Sequence, residues 1–145
     1  MGGIFIPDAR GGLVWLHGTN AAGDPVKLGV VHGYDAQYAE WGSDLNGVAG
    51  TNVKNLAVVP AGEVWHILNV DMRDQNSVCE RQVRALIGGN YYFLGQELGV
   101  GAGRVTIWRG DIILAAGNRL VCVWVGVTLN DDLYWNALGY KMKVV

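Results

Sequence analysis

The segment from Val105 to Val145, VTIWRGDIILAAGNRLVCVWVGVTLNDDLYWNALGYKMKVV, constrains the fold more than any other part of the chain. β-Branched, aromatic and other apolar residues run through it, broken at Gly117-Asn118 and at Asn130-Asp131-Asp132. Such runs, cut by turn-forming residues, predict short consecutive strands. The segment carries no metal, nucleophile or phosphate signature. It reads as scaffold.

The same signature extends upstream to about residue 53. Val53–Val59 predicts a strand that stops at Pro60, and Ala61-Gly62 a turn. Glu63–Arg73 starts apolar on both faces and ends with one polar face. Val78–Ile87 shows the cleanest alternation: Cys79, Val83, Ala85 and Ile87 share one face, with Arg81 the exception, and Glu80, Gln82 and Arg84 share the other. Tyr91–Leu94, Val105–Trp108 and Asp111–Leu114 are further strands, the last two separated by a turn at Arg109-Gly110-Asp111. In Arg119–Leu129, Val121, Val123, Val125 and Val127 line one face and Leu120, Cys122 and Trp124 the other, so this strand is expected to be covered on both sides. Leu133–Val144 is the last. Strands at this spacing indicate an all-β antiparallel β-sandwich or barrel of a single domain.

Residues 1–50 are less regular and read as an irregular N-terminal arm, with the sandwich core over 51–145. Short extended pieces fall at Gly12–Leu16 and Val26–Val31, around a loop cluster of Gly18, Asn20, Gly23, Asp24 and Pro25. Tyr34–Trp41 fits two helical turns, with Tyr34, Tyr38 and Trp41 on one side. A segment that short must pack on something. Gly42–Asn52 is linker-like.

Charge narrows the function classes. The 11 basic and 13 acidic residues give a net charge of −2 with no basic run, so the footprint of a nucleic-acid binder is missing. Apolar runs are too short and too interrupted for a membrane helix. The N-terminus MGGIFIPDAR lacks the pattern of a signal peptide, and Ile6 stands where a myristoylation signal wants Ser or Thr. The expectation is a protein made and kept in a cytoplasm, or assembled there into something larger. Charged residues are only 17% of the chain, against about 25% in ordinary soluble domains. That shortage suggests that part of the surface is an interface.

No cofactor, metal or catalytic residue is expected. His17, His32 and His66 are far apart and show no HxH or HExxH spacing. Asn130-Asp131-Asp132 reads as turn chemistry between two strands. Asp71, Asp74 and Glu80 lack the spaced ligands of a calcium loop. Gly99-Val100-Gly101-Ala102-Gly103 has no following Lys and no helix behind it, as a phosphate loop requires. Cys79 and Cys122 read as buried thiols. The surplus is aromatic, six Trp and six Tyr. Trp65 and Trp124 belong to apolar strands and are expected in the core. Trp15, Tyr34, Tyr38 and Trp41 lie in the irregular part and are the candidate interface residues.

Two segments carry a family resemblance. Val59-Pro60-Ala61-Gly62-Glu63-Val64-Trp65-His66-Ile67 resembles the PAG-x-VW-x-I strand opening of small structural proteins from tailed bacteriophages. Trp108–Leu120, followed by Gly126, Asp131-Asp132-Leu133 and Gly139-Tyr140-Lys141-Met142, resembles their C-terminal hairpins. Asn118 stands where those proteins usually have Asp, and the first 50 residues match no pattern. The resemblance covers residues 58–142. It implies a sandwich of jelly-roll type within a virion. Some such proteins are capsid decoration or cement proteins, often trimeric, that bind the major capsid protein and brace capsomers. Others sit on tails. The expected function is therefore non-enzymatic capsid decoration by a homo-oligomer, with a trimer favoured. The alternative is a tail-associated carbohydrate- or receptor-binding module.

Overall fold

The computed structural model describes residues 13–19 and 25–144, with side chains described over 35–143. Among the described residues nine strands follow one another: β1 (Leu13–Thr19), β2 (Pro25–Asp44), β3 (Gly50–Asn55), β4 (Glu63–Asp74), β5 (Cys79–Ile87), β6 (Asn90–Val100), β7 (Val105–Ala115), β8 (Arg119–Val127) and β9 (Leu133–Val144). They form a five-stranded sheet, β1-β2-β9-β4-β7, and a four-stranded sheet, β3-β8-β5-β6.

The pairing explains that order. β2 pairs β9, β3 pairs β8, β4 pairs β7 and β5 pairs β6, all antiparallel, so each pair nests inside the one before. The chain from β2 to β9 is one long hairpin. It is rolled so that β9 also pairs β4 and β8 also pairs β5. This is the jelly roll of eight strands, and β1 adds a ninth against the first part of β2.

The core lies between the sheets. Trp65, Ile67, Val70 and Met72 of β4 and Leu114 of β7 meet Val83 and Ala85 of β5 and Leu120, Cys122 and Trp124 of β8. Trp124 and Trp135 of β9 pack edge to face at 6.2 Å, and the Trp124 indole N–H donates to the Arg73 carbonyl. In β8 every residue from Leu120 to Trp124 is buried, as its two apolar faces predict. Its outer valines are covered by polar neighbours: Val121 and Val123 pair with Arg84 and Gln82 of β5. There Glu80, Gln82 and Arg84 join in a hydrogen-bonded row, and Gln96 of β6 donates to Glu80.

Several expectations need correction. Residues 34–41 are not helical turns; they belong to β2, whose residues 36–44 pair without interruption with β9. The ladder partner decides, because no isolated helix of two turns can compete with a sheet. β3 begins at Gly50, inside the stretch read as a linker, and ends at Asn55. Leu56 and Val59 continue as loop backbone bonded to Leu120 and Asn118. Arg109-Gly110-Asp111 is not a turn between two strands. It lies within the continuous strand β7, where Gly110 and Asp111 together oppose Leu68 alone. That is a β-bulge. Leu68 is itself an extra residue relative to β9, where Leu138 and Gly139 are consecutive.

Loops between the sheets are tied together at the end formed by residues 45–49, 75–78, 101–104 and 128–132. Gly47 exchanges backbone hydrogen bonds with Asn130 and Asp131, and Gln75 N–H donates to the Asp132 carbonyl. Arg81, fully buried on β5, donates to the carbonyls of Arg104, Gly101 and Asp74 and so fixes the β6–β7 loop.

Candidate functional site

The four residues singled out in the sequence end in different places. Trp15 lies in β1 opposite Val30, and Tyr34 lies in β2 opposite Met142; both side chains fall outside those described. Tyr38 is a core residue, 3% exposed, with its ring 4.7 Å from that of Trp65. Its hydroxyl donates to Glu40, whose carboxylate also accepts the Ala57 N–H from the loop after β3. Burial, and then the Glu40 charge, push the Tyr38 phenol well above its usual range. Tyr38 thus helps to join the two sheets and offers no surface. Trp41 is the opposite case, 80% exposed. Side chains alternate along a strand, so the residues that share a helical side in the sequence are split here between core and solvent.

Groups that carry chemistry are mostly occupied by structure. Asp131 is buried and its carboxylate accepts the Thr128 N–H, with Asn130 at φ 67°, as the turn reading requires. Asp74 accepts the N–H groups of Asn76 and Ser77 and shapes the β4–β5 turn. His66 meets Asp111 at 3.0 Å across the β7 bulge and stacks on Tyr140 at 4.5 Å. Cys79 and Cys122 are buried and unpaired with each other. Burial raises both thiols, Cys122 to about 12. Among the described residues, no group of three or more His, Cys, Asp or Glu is placed to hold a metal ion.

Exposed apolar side chains, by contrast, occur at the lateral edges of the sandwich and in its loops, where Leu45, Val48, Val78 and Leu129 are each more than half exposed. On one side β6 and β7 are the last strands of their sheets. Tyr91, Tyr92 and Phe93 of β6 are each more than half exposed, and Leu98 is 71% exposed. Ile107 and Ile113 of β7 are also half exposed. Between the two edges lies a notch of about 310 Å³, lined by Val83, Gly95, Gln96, Glu97, Thr106, Ile107 and Trp108. The Thr106 hydroxyl is buried there without a hydrogen-bond partner among the described residues. On the other side Trp41 projects from the part of β2 beyond its pairing with β1. A separate shallow depression of about 180 Å³ lies on the five-stranded sheet, lined by Asp71, Arg73, Val105, Tyr134 and Asn136 among others. The Arg73 guanidinium lies over the Tyr134 ring.

The β6 aromatics were missed in the sequence, although a signal existed. Three consecutive aromatic residues in a strand cannot all face one core, since neighbours point to opposite sides.

No protein-family model matches the chain, and no curated protein sequence matches it. Solved structures do. A chain in the acidic stable capsid structure of Helicobacter pylori bacteriophage KHP30 superposes with a TM-score of 0.53 at 13% identity, over 74% of this chain and 89% of that one. The nucleoplasmin-like N-terminal domain of Drosophila FKBP39 gives 0.40 at 13% identity, over 72% and 87%. A putative α-L-fucosidase from Bacteroides thetaiotaomicron gives 0.42 at 14% identity, over 72% of this chain and 22% of that one. The first shares the fold. The other two superpose too loosely to carry an argument.

Proposed function

We propose that this chain is a non-enzymatic structural protein of a virion, which decorates and stabilises a tailed-phage capsid by bracing its capsomers. The observation that carries the reading is the division of the surface. Many polar and titratable groups are spent on turns and on the clamps between sheets, while large apolar side chains stand exposed on the lateral edges and in the loops. A protein whose task is adhesion needs a stiff core and an adhesive surface. Repeated small contacts on a shell then add through multivalency.

The likeness to a chain of a phage capsid supports this reading. The likeness extends over 89% of that chain and 74% of this one. The partner would be the major capsid protein, the location the virion, and the active form a homo-oligomer, with a trimer favoured. Residues 1–50, with Trp15 and Trp41, would contribute contacts to neighbours.

The test is quantitative mass spectrometry of purified particles. A copy number comparable to that of the major capsid protein is the expected result. A ratio of a few per cent would move the protein to the tail, and absence from particles would overturn the virion reading.

One observation favours the second reading, a carbohydrate- or receptor-binding module on a tail. In the depression, Tyr134, Asp71 and Asn136 set an aromatic ring beside polar side chains, the combination that sugars use. Glycan-array binding that Tyr134→Ala abolishes would establish it in place of decoration.

A further inference from the structure

We propose that the outer face of the five-stranded sheet binds a neutral oligosaccharide, stacked on Trp41 and hydrogen-bonded by Asn136, Asp71 and Arg73. This rests on the reading of the depression as a sugar site. It adds the stacking ring, the polar partners and the charge class of the sugar.

The strand register assembles the site. Trp41 of β2 pairs with Asn136 of β9, Asn136 with Asp71 of β4, and Asp71 with Ile107 of β7. Paired residues point to the same side of a sheet, so these four form one row across four strands. The next row is Ser43, Tyr134, Arg73 and Val105. Both rows lie on the outer face, because the residues between them in β4 and β9, Met72 and Trp135, belong to the core. Three strand spacings make each row ~14 Å long, more than one sugar ring needs. The depression of about 180 Å³ lies in the middle, with Asn136 in its wall. Trp41 stands one strand beyond that wall.

The two rings differ in what they offer. The Arg73 guanidinium rests 4.5 Å from the centre of the Tyr134 ring, so that face is taken and Tyr134 serves to hold Arg73. Trp41 is 80% exposed, and its ring meets no other ring or cation among the described residues. Its neighbours on the same face of β2, Ala39 and Ser43, are small. Pairing of β2 with β1 has ended before this point. The open indole is the platform on which the apolar face of a sugar ring packs. Trp41 then serves the glycan, and contacts with neighbouring proteins fall to other exposed side chains.

The polar groups fit hydroxyls and set the charge. Asp71 is held by the Asn69 side-chain amide, which donates to its Oδ1 at 2.8 Å. Its other oxygen, the Asn136 amide and the Arg73 guanidinium make no hydrogen bond among the described residues. All three side chains are half-buried. The carboxylate accepts, the guanidinium donates and the amide does both. Adjacent hydroxyls of one sugar also donate and accept, and so can satisfy all three. The two rows hold one negative and one positive charge, Asp71 and Arg73. An acidic sugar would face the Asp71 carboxylate and an amino sugar the Arg73 guanidinium, whereas a neutral sugar meets neither repulsion. Val105 and Ile107, each about half exposed, add apolar contact at the far end.

Glycan-array screening of the full chain, followed by isothermal titration with the best hit, tests this. The array carries neutral hexose oligosaccharides beside sialylated and sulfated ones. The wild type is expected to bind neutral glycans. Trp41→Ala and Asp71→Asn should each weaken that binding roughly tenfold or more, since each removes a principal contact. Circular dichroism and melting should stay as in the wild type, because both side chains lie outside the core. Ile113→Ala, exposed on the same face but outside the two rows, should leave affinity unchanged. Binding that Tyr134→Ala abolishes but Trp41→Ala and Asp71→Asn leave intact would overturn the proposal while the sugar-site reading stood. Hits confined to acidic glycans would do the same. Failure to bind any glycan at millimolar concentration would overturn both. The copy number in particles bears on neither.

Discussion

Gly139→Ala offers the sharpest test of how β4 and β9 fit. A Cβ built on Gly139 falls 1.9 Å from the His66 carbonyl oxygen and 3.0 Å from the Ile67 Cα. Both are backbone atoms, so no side-chain rotation relieves the clash. The close approach falls at the register shift, where Gly139 pairs with Ile67 and the next residue, Leu68, is extra. Restoring ordinary contact requires the strands to part by about 1.5 Å. Parting by that much stretches a bond of about 2.9 Å beyond hydrogen-bonding range. Two broken ladder bonds in the middle of a sheet, each leaving buried groups unpaired, cost about 3–5 kcal/mol. Gly117→Ala is the matched control. Gly117 has φ +84° but no atom within 4 Å of its Cβ position, so its cost is conformational alone, about 1–2 kcal/mol. Urea unfolding followed by tryptophan fluorescence reads the difference. With a slope near 2 kcal/mol/M, Gly139→Ala should lower the midpoint by roughly 1.5–2.5 M and Gly117→Ala by less than about 1 M. Equal losses at unchanged slope would refute the close approach of β4 and β9 at Gly139.

Replacing Arg81 by Met should cost about 2–4 kcal/mol, because three loop carbonyls lose their donor inside the protein; hydrogen exchange should rise first in residues 101–104. Stability should fall as pH rises above the ordinary cysteine value of 9.0. The folded chain holds the Cys122 proton to about 12 and the Tyr38 proton beyond its usual range, while the unfolded chain releases both earlier. Each group contributes a slope of about 1.4 kcal/mol per pH unit within its window, so urea midpoints between about pH 8 and pH 11 check it, and Cys122→Ala should flatten the first part of the fall. A thiol reagent such as Ellman's should label neither cysteine in the native protein and both after denaturation, since both are buried and free.

What could be read from the sequence follows from how strongly burial imposes a period. β5 and β8 were legible because one is half covered and the other covered on both sides. Each pattern survives in the residue order. The Tyr34–Trp41 helix was misread for a definite reason. Positions 34 and 38 share a face in a helix and in a strand alike. Only Trp41 separates the two templates, and it is an exposed residue of the kind that misleads a hydrophobicity pattern. Gly110 was misread as a turn because glycine also marks bulges, and which of the two it marks depends on the partner strand. The notch was not legible at all. It joins Gly95–Glu97 to Thr106–Trp108 across two sheets, and no local pattern records that proximity.

The edges give the adhesive reading its physical basis. An open sheet edge is an aggregation hazard unless something blunts it. Some blunting is visible here: the Gly110–Asp111 bulge bends β7, and Arg84 lies over the Phe93 ring at 4.4 Å. Yet β6 keeps Tyr91, Tyr92, Phe93 and Leu98 in solvent, where charged residues would have served solubility better. The core has no use for them, because Val83 and Ala85 already fill the inner face of the neighbouring strand. Side chains that neither fill the core nor guard the edge are the ones a contact of the proposed kind would cover. The β6–β7 edge is therefore where the first contact variants belong.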